Sequence, residues 1–220
     1  LVVSMMAGIS FLDLLPDYIR SVTLWPPGPW IDSVYWTLAV ELCFYLVVLG
    51  LLVVDRFSRL EATMAVIGIL SIANYGVVRV LNKLDVINGH PLPETAQQLL
   101  LLENGMHFAL GVFLWAGFAK GWTTFRRIMV AVFILGGLLP VLATSLGKYD
   151  AGYISLRLVS LPMIVWLAGV AALVGFIVYD QQLSRHLSPS TTAAIKTLGL
   201  STYPLYLVHN VAGSALLRYL

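Results

Sequence analysis

The chain has 220 residues, 59% hydrophobic and only 11% charged, with a formal net charge of +2 and a mean hydropathy of +0.88. A soluble domain carries about 25% charged residues, so the composition excludes an ordinary soluble globular domain and points to an integral membrane protein. The small net charge, without a basic tract, speaks against a nucleic-acid partner, and a single Cys43 excludes an internal disulfide framework or a cysteine zinc site.

A spanning helix needs about 20 mainly apolar residues. Leu1–Leu15 reads as the end of one such helix. It opens without an initiator Met or a basic leader, and the sequence stops inside another apolar run at Leu220, so a piece of a longer polytopic protein is expected. Pro16–Ser33 follows as a loop. It contains LWPPGPWID (Leu24–Asp32), whose Pro26, Pro27 and Pro29 remove backbone donors, so the next helix begins after them. Six full-length blocks come next: Val34–Val54, Ala62–Leu81, Leu99–Ala119, Ile128–Leu146, Leu158–Val178 and Leu198–Leu220. In lipid these blocks must be helices, because an open sheet leaves backbone groups unpaired. The period-two alternation of a membrane barrel is absent. The expected fold is an all-α polytopic bundle with about seven transmembrane helices.

The connections hold most of the charge. Arg56, Arg59, Lys120, Arg126, Arg127, Arg185 and Lys196 fall on one set, against Arg20, Arg79, Lys83, Lys148 and Arg157 on the other. The positive-inside rule places the first set in the cytoplasm. Pro16–Ser33, Asn82–Gln98 and Gly147–Arg157 then face outward, with Trp25, Trp30, Tyr35 and Trp36 as an aromatic belt at the outer boundary. Arg79 and Arg157, near outer helix ends, are placed to snorkel to the interface.

Three blocks carry polar residues at depth. Glu41 lies seven residues past Val34, roughly 10 Å below the outer boundary. Such an ionisable residue is expensive in lipid, which makes it a functional candidate. Tyr45, at i+4, shares its face. A neutral Glu bonded to a neighbouring helix explains the position equally well. In the fourth block ENGMHFALG places Glu103 and His107 at i, i+4, which predicts one helical face carrying both. An intrahelical Glu–His pair accounts for Glu103. His107, roughly 12 Å deep, suits a proton shuttle or the positioning of a substrate hydroxyl. In the last block Pro204 predicts a kink, and Thr202, Tyr206, His209, Asn210 and Gly213 share a stripe near the midplane. Counting thus brings Glu41, His107 and His209 to similar depth and suggests one polar chamber. GxSxG, P-loop, HExxH and dinucleotide signatures are absent.

Trp36-Thr37-Leu38-Ala39-Val40-Glu41, followed by Phe44-Tyr45-Leu46, resembles the W-[ST]-L-x-V-E-x-x-F-Y-L signature of the acyltransferase-3 family. HFALGVFLW (His107–Trp115) resembles that family's internal F-x-x-G helix, and LGLSTYPLYLVHN (Leu198–Asn210) its closing S-Y-x-L-Y-L-x-H motif. The resemblance implies a membrane enzyme that O-acylates extracytoplasmic sugars, lipids or antibiotics. Residues 1–220 would be the C-terminal part of a single acyltransferase domain, without the N-terminal helices that carry the family's central Arg and His. The donor would be acyl-CoA, most simply acetyl-CoA, offered from the cytoplasm, and no metal is called for. The acceptor would be a carbohydrate or lipid-linked hydroxyl, and the location a bacterial cytoplasmic (inner) membrane. By the same resemblance Glu41 and Tyr45 are the catalytic candidates, and Trp36, His107, Tyr206, His209 and Asn210 line the substrate chamber. Leu42 and Cys43 stand where many members have an acidic and a polar residue, which speaks against a paired-acid mechanism in this motif. Two other readings of the same buried polar residues stay open: a proton-coupled secondary transporter and a structural membrane subunit without chemistry.

Overall fold

The computed structural model describes residues 11–23, 35–83, 92–153, 155–186, 188 and 190–201. These are helical throughout, with no strand among the described residues. In chain order the helices are α1 (Phe11–Thr23), α2 (Tyr35–Val53), α3 (Leu60–Lys83), α4 (Glu94–Leu99), α5 (Gly105–Lys120), α6 (Thr124–Asp150), α7 (Leu161–His186) and α8 (190–201). Short 3-10 turns at Phe57–Arg59 and Leu156–Leu158 precede α3 and α7. Among the described residues three stretches are long and apolar enough to cross a membrane: Phe57–Val78, Thr124–Asp150 and Leu161–Tyr179.

The described residues fall into two compact units. Residues 1–42 with 181–220 form one, and Cys43–Asp180 the other. In the first unit α1 runs through Pro16 to Thr23, so the expected loop beginning at Pro16 is helical for its first eight residues. Ser21 donates to the carbonyl of Asp17 at 2.7 Å, holding the last turn of α1. Leu38, Ala39 and Val40 of α2 are buried. Ser188 accepts from the backbone N–H of Thr191 at 3.1 Å and caps α8.

In the second unit α5 is the central element. It is apolar all round, and Met106, Ala109, Leu110, Val112, Phe113, Leu114, Ala116 and Gly117 are buried, as expected of a helix covered on most sides. α3 packs on it through Leu60, Met64 and Ala65, and α6 through Phe133. α3, α5 and α6 all contact one another. Small residues bring the helices close. A Cβ on Gly68 would lie 2.5 Å from the Phe133 ring and 2.7 Å from the Ala109 methyl, so α3 can meet α5 and α6 here only without a side chain. α7 contributes the stripe Trp166, Val170 and Val174 to this core, at i, i+4, i+8. Ile164, Val165, Leu173 and Phe176 are exposed, an apolar surface suited to lipid.

The fourth apolar block is broken, which corrects the expected continuous helix over Leu99–Ala119. α4 ends at Leu99, Leu100–Asn104 form turns, and α5 starts at Gly105. Leu101 has φ +54°. Its N–H donates to the Gln98 carbonyl at 3.0 Å, and that of Leu102 to the Gln97 carbonyl at 2.8 Å. This pair of bonds is a Schellman ending, with Leu101 in the left-handed position that usually belongs to Gly. Burial holds it there: Leu101 is 1% exposed. Glu103 therefore lies in a turn, not one helical turn below His107, and the expected Glu103–His107 helical face does not form. The same ending closes α2, with Asp55 at φ +52° and Arg56 N–H bonded to the Leu51 carbonyl at 2.7 Å. It also closes α6, with Gly152 at φ +77°. α6 reaches Asp150, taking in the first four residues of the loop expected from Gly147.

One end of the second unit is fastened by charge. Arg126, in the first turn of α6, forms a bidentate pair with Glu61 of α3, both bonds 2.8 Å. Lys120, ending α5, lies 3.7 Å from the same carboxylate. Thr123 caps α6 by accepting from the Arg126 N–H at 3.2 Å. The connections before α3 and before α6 therefore lie at the same end, as their shared assignment by charge requires.

Candidate functional site

Three helices of the second unit converge on His107. It sits in the first turn of α5, so it is half-buried by its neighbours and not by depth along a long helix. Gly137 of α6 lies beneath it. A Cβ there would stand 3.1 Å from His107 Cε1 and 2.6 Å from the Trp166 ring of α7. The missing side chain lets both rings approach α6, with their centroids 6.2 Å apart.

His107 is the wall shared by two cavities. One, of about 450 Å³, runs between α2 and α5 and is lined by Phe44, Tyr45, Val48, Gly111 and Trp115 among others. Its lining is almost wholly apolar. Phe44 and Phe108 stack across it at 4.7 Å, and Phe57 meets Trp115 edge-on at 6.5 Å. The second, of about 610 Å³, lies between α6 and α7 and carries Thr144, Ser145, Lys148 and Trp166. It is the more polar of the two, and both volumes fall in the range of small-molecule sites. A neutral imidazole on the shared wall can accept a proton from a group in one cavity and hold a group in the other.

The sequence candidates are distributed as follows. Tyr45 and His107, from motifs about sixty residues apart in sequence, line the same apolar cavity. Tyr45 is otherwise exposed. Glu41 lies on α2 within the first unit and is exposed. Trp36 belongs to α2. Tyr206, His209 and Asn210 lie outside the described residues, as do Thr202, Pro204 and Gly213. Among the described residues no group of three or more His, Cys, Asp or Glu side chains could hold a metal ion.

Reading the sequence missed Gly137, Trp166, Thr144 and Lys148. Gly136-Gly137 inside an apolar block was a usable signal, because adjacent glycines in a spanning helix mark a close approach. Lys148 was assigned to a loop because α6 outruns its apolar block. The last turns of α6 carry it instead. No protein-family model, no curated protein and no solved structure matches the chain.

Proposed function

We propose that this chain is part of a membrane O-acyltransferase, within a bundle of about seven transmembrane helices in this portion. It would move an acyl group from an acyl-CoA donor to a hydroxyl of a carbohydrate or lipid-linked acceptor. The observation that carries the reading is the position of His107, in the wall between an apolar and a more polar cavity, with Tyr45 on the apolar side. The acceptor hydroxyl enters the polar cavity and gives its proton to the neutral imidazole. Its oxygen attacks the thioester carbonyl, the carbon–sulfur bond breaks, and the leaving thiolate takes the proton back from the imidazolium. Tyr45 donates to the carbonyl oxygen as negative charge develops there. By the family resemblance Glu41 is a further catalytic candidate, and Trp36, Tyr206, His209 and Asn210 are candidates for substrate binding. The basic end at Arg56, Arg59 and Lys120 faces the cytoplasm of a bacterial inner membrane, and the acceptor approaches from the other side.

The test is transfer of label from acetyl-CoA and longer acyl-CoAs to glycan or lipid in membranes holding the full chain. His107→Ala is expected to lower turnover about 10²- to 10⁴-fold, the range for removing a general base. Turnover unchanged in His107→Ala would remove the residue from the mechanism. One observation favours a proton-coupled transporter instead: the helix break at Leu100–Asn104, beside a buried Gln97. Proton-coupled uptake without any acyl product would establish that reading.

A further inference from the structure

The apolar cavity between α2 and α5 has more room than the chemistry at His107 uses. A methylene takes about the space of a liquid water, roughly 30 Å³, so 450 Å³ holds on the order of fifteen. From His107 to Trp115 is eight residues of α5, about 12 Å of helix rise. Apart from Tyr45, His107 and the Trp115 indole the lining is apolar, so a sugar or an amide-bearing arm lying along it would leave polar groups unpaired.

Gly111 is the second observation. It stands in the middle of α5, where glycine is unfavourable relative to alanine. Gly68, Gly105, Gly117, Gly136 and Gly137 each answer a close neighbour, whereas a Cβ on Gly111, as on Gly50, Gly76, Gly169 and Gly175, meets nothing within 4 Å; of these open glycines Gly111 is the one that lines the cavity. Packing does not demand this glycine. What its missing side chain does is open the cavity wall.

Charge marks one end. Phe57 and Trp115 close the cavity opposite His107, and Lys120 Nζ lies 4.9 Å over the Trp115 ring. Arg56, Arg59 and Arg127 are exposed at that end, with Arg126 and Lys120 on Glu61, so five cations face two carboxylates, Asp55 and Glu61. An apolar trough ending in aromatic rings and net positive charge complements an anionic head on a hydrocarbon tail.

We propose that this cavity binds one long-chain fatty-acid-type amphiphile, its anionic head at Lys120 and Arg59 and its tail running along Gly111 toward His107. The site shares the cavity that the acyltransferase reading gives to Tyr45 and His107, but binding of the amphiphile does not require acyl transfer. At about 450 Å³ the cavity has roughly the volume of one such chain, so a single-chain amphiphile is the occupant proposed.

The test is equilibrium binding of radiolabelled hexadecanoate to the full chain in phosphatidylcholine nanodiscs. Saturable binding of one molecule per chain is expected, strengthening from octanoate to hexadecanoate. Gly111→Phe fills the trough and weakens hexadecanoate at least about tenfold, the loss expected from excluding two methylenes. Lys120→Gln weakens the acid roughly two- to fivefold and leaves hexadecanol unchanged. Gly111→Leu gives a smaller loss in the same direction and serves if the Phe variant does not fold. Non-saturable binding, no dependence on chain length, unchanged affinity in Gly111→Leu, or equal displacement by phosphatidylglycerol would each overturn the proposal. Acyl-transfer activity measured on the same samples fails or survives separately, so loss of one reading is distinguishable from loss of the other.

Discussion

At the scale of single residues, glycines set the geometry of the candidate site. Gly137 lets the rings of His107 and Trp166 lie against α6, and a methyl there would displace one of them. Gly137→Ala is therefore expected to lower acyl transfer about tenfold or more while leaving the helix content intact, because small misplacements of a reacting group are costly. Circular dichroism beside the transfer assay checks both halves. Leu101 gives a second prediction. Leu101→Ala loses a buried side chain and keeps the strained left-handed backbone, at a cost of about 2–5 kcal/mol. Leu101→Gly loses the same burial but relieves about 1 kcal/mol of that strain. The Gly variant should thus melt higher than the Ala variant, the reverse of the order inside a helix.

At the scale of elements, apolar blocks and helices agree where the chain has no reason to turn. Tyr35–Val53 follows its block because a long apolar run without a strong breaker can only be helical in lipid, whereas Leu161–His186 covers most of its block and runs eight residues past it, so Arg185, expected in a connection, lies on α7. The fourth block was misread because Leu99-Leu100-Leu101-Leu102 carries no Gly or Pro, and the ending there is imposed by burial of Leu101 and not by its local preference. Pro16 misled in the other direction, since α1 continues through it. His107 and Tyr45 were legible as chemistry-bearing residues in apolar surroundings. Their shared cavity was not, because it depends on α2 and α5 lying side by side, which no local pattern encodes. The joint between α3 and α6 also depends on residues distant in sequence. Glu61 holds Arg126 with two bonds of 2.8 Å and Lys120 more loosely at 3.7 Å. Glu61→Gln and Arg126→Gln should each lower the melting temperature, and the double variant should be no less stable than the worse single one. Lys120→Gln should have the smaller effect. Simple additivity in this cycle would show that the pair is not coupled.

At the scale of the whole molecule, three helices among the described residues are long and apolar enough to cross a membrane, and α5 lies buried among its neighbours. The exposed apolar flank of α7 supports a membrane setting. The charged connections at Arg56–Arg59 and Lys120–Arg127 share one end, so a cysteine placed at either should react with an impermeant thiol reagent from the same side of the membrane, in a Cys43→Ala background. Labelling from opposite sides would contradict the arrangement of α3, α5 and α6. Acyl transfer itself is tested most directly by labelled acyl-CoA supplied to membranes holding the full chain, with alkali-labile label counted on glycan and lipid. The account predicts ester-linked label that is lost in His107→Ala and reduced in Glu41→Gln. No label from any acyl-CoA, in protein shown to be folded, would contradict it.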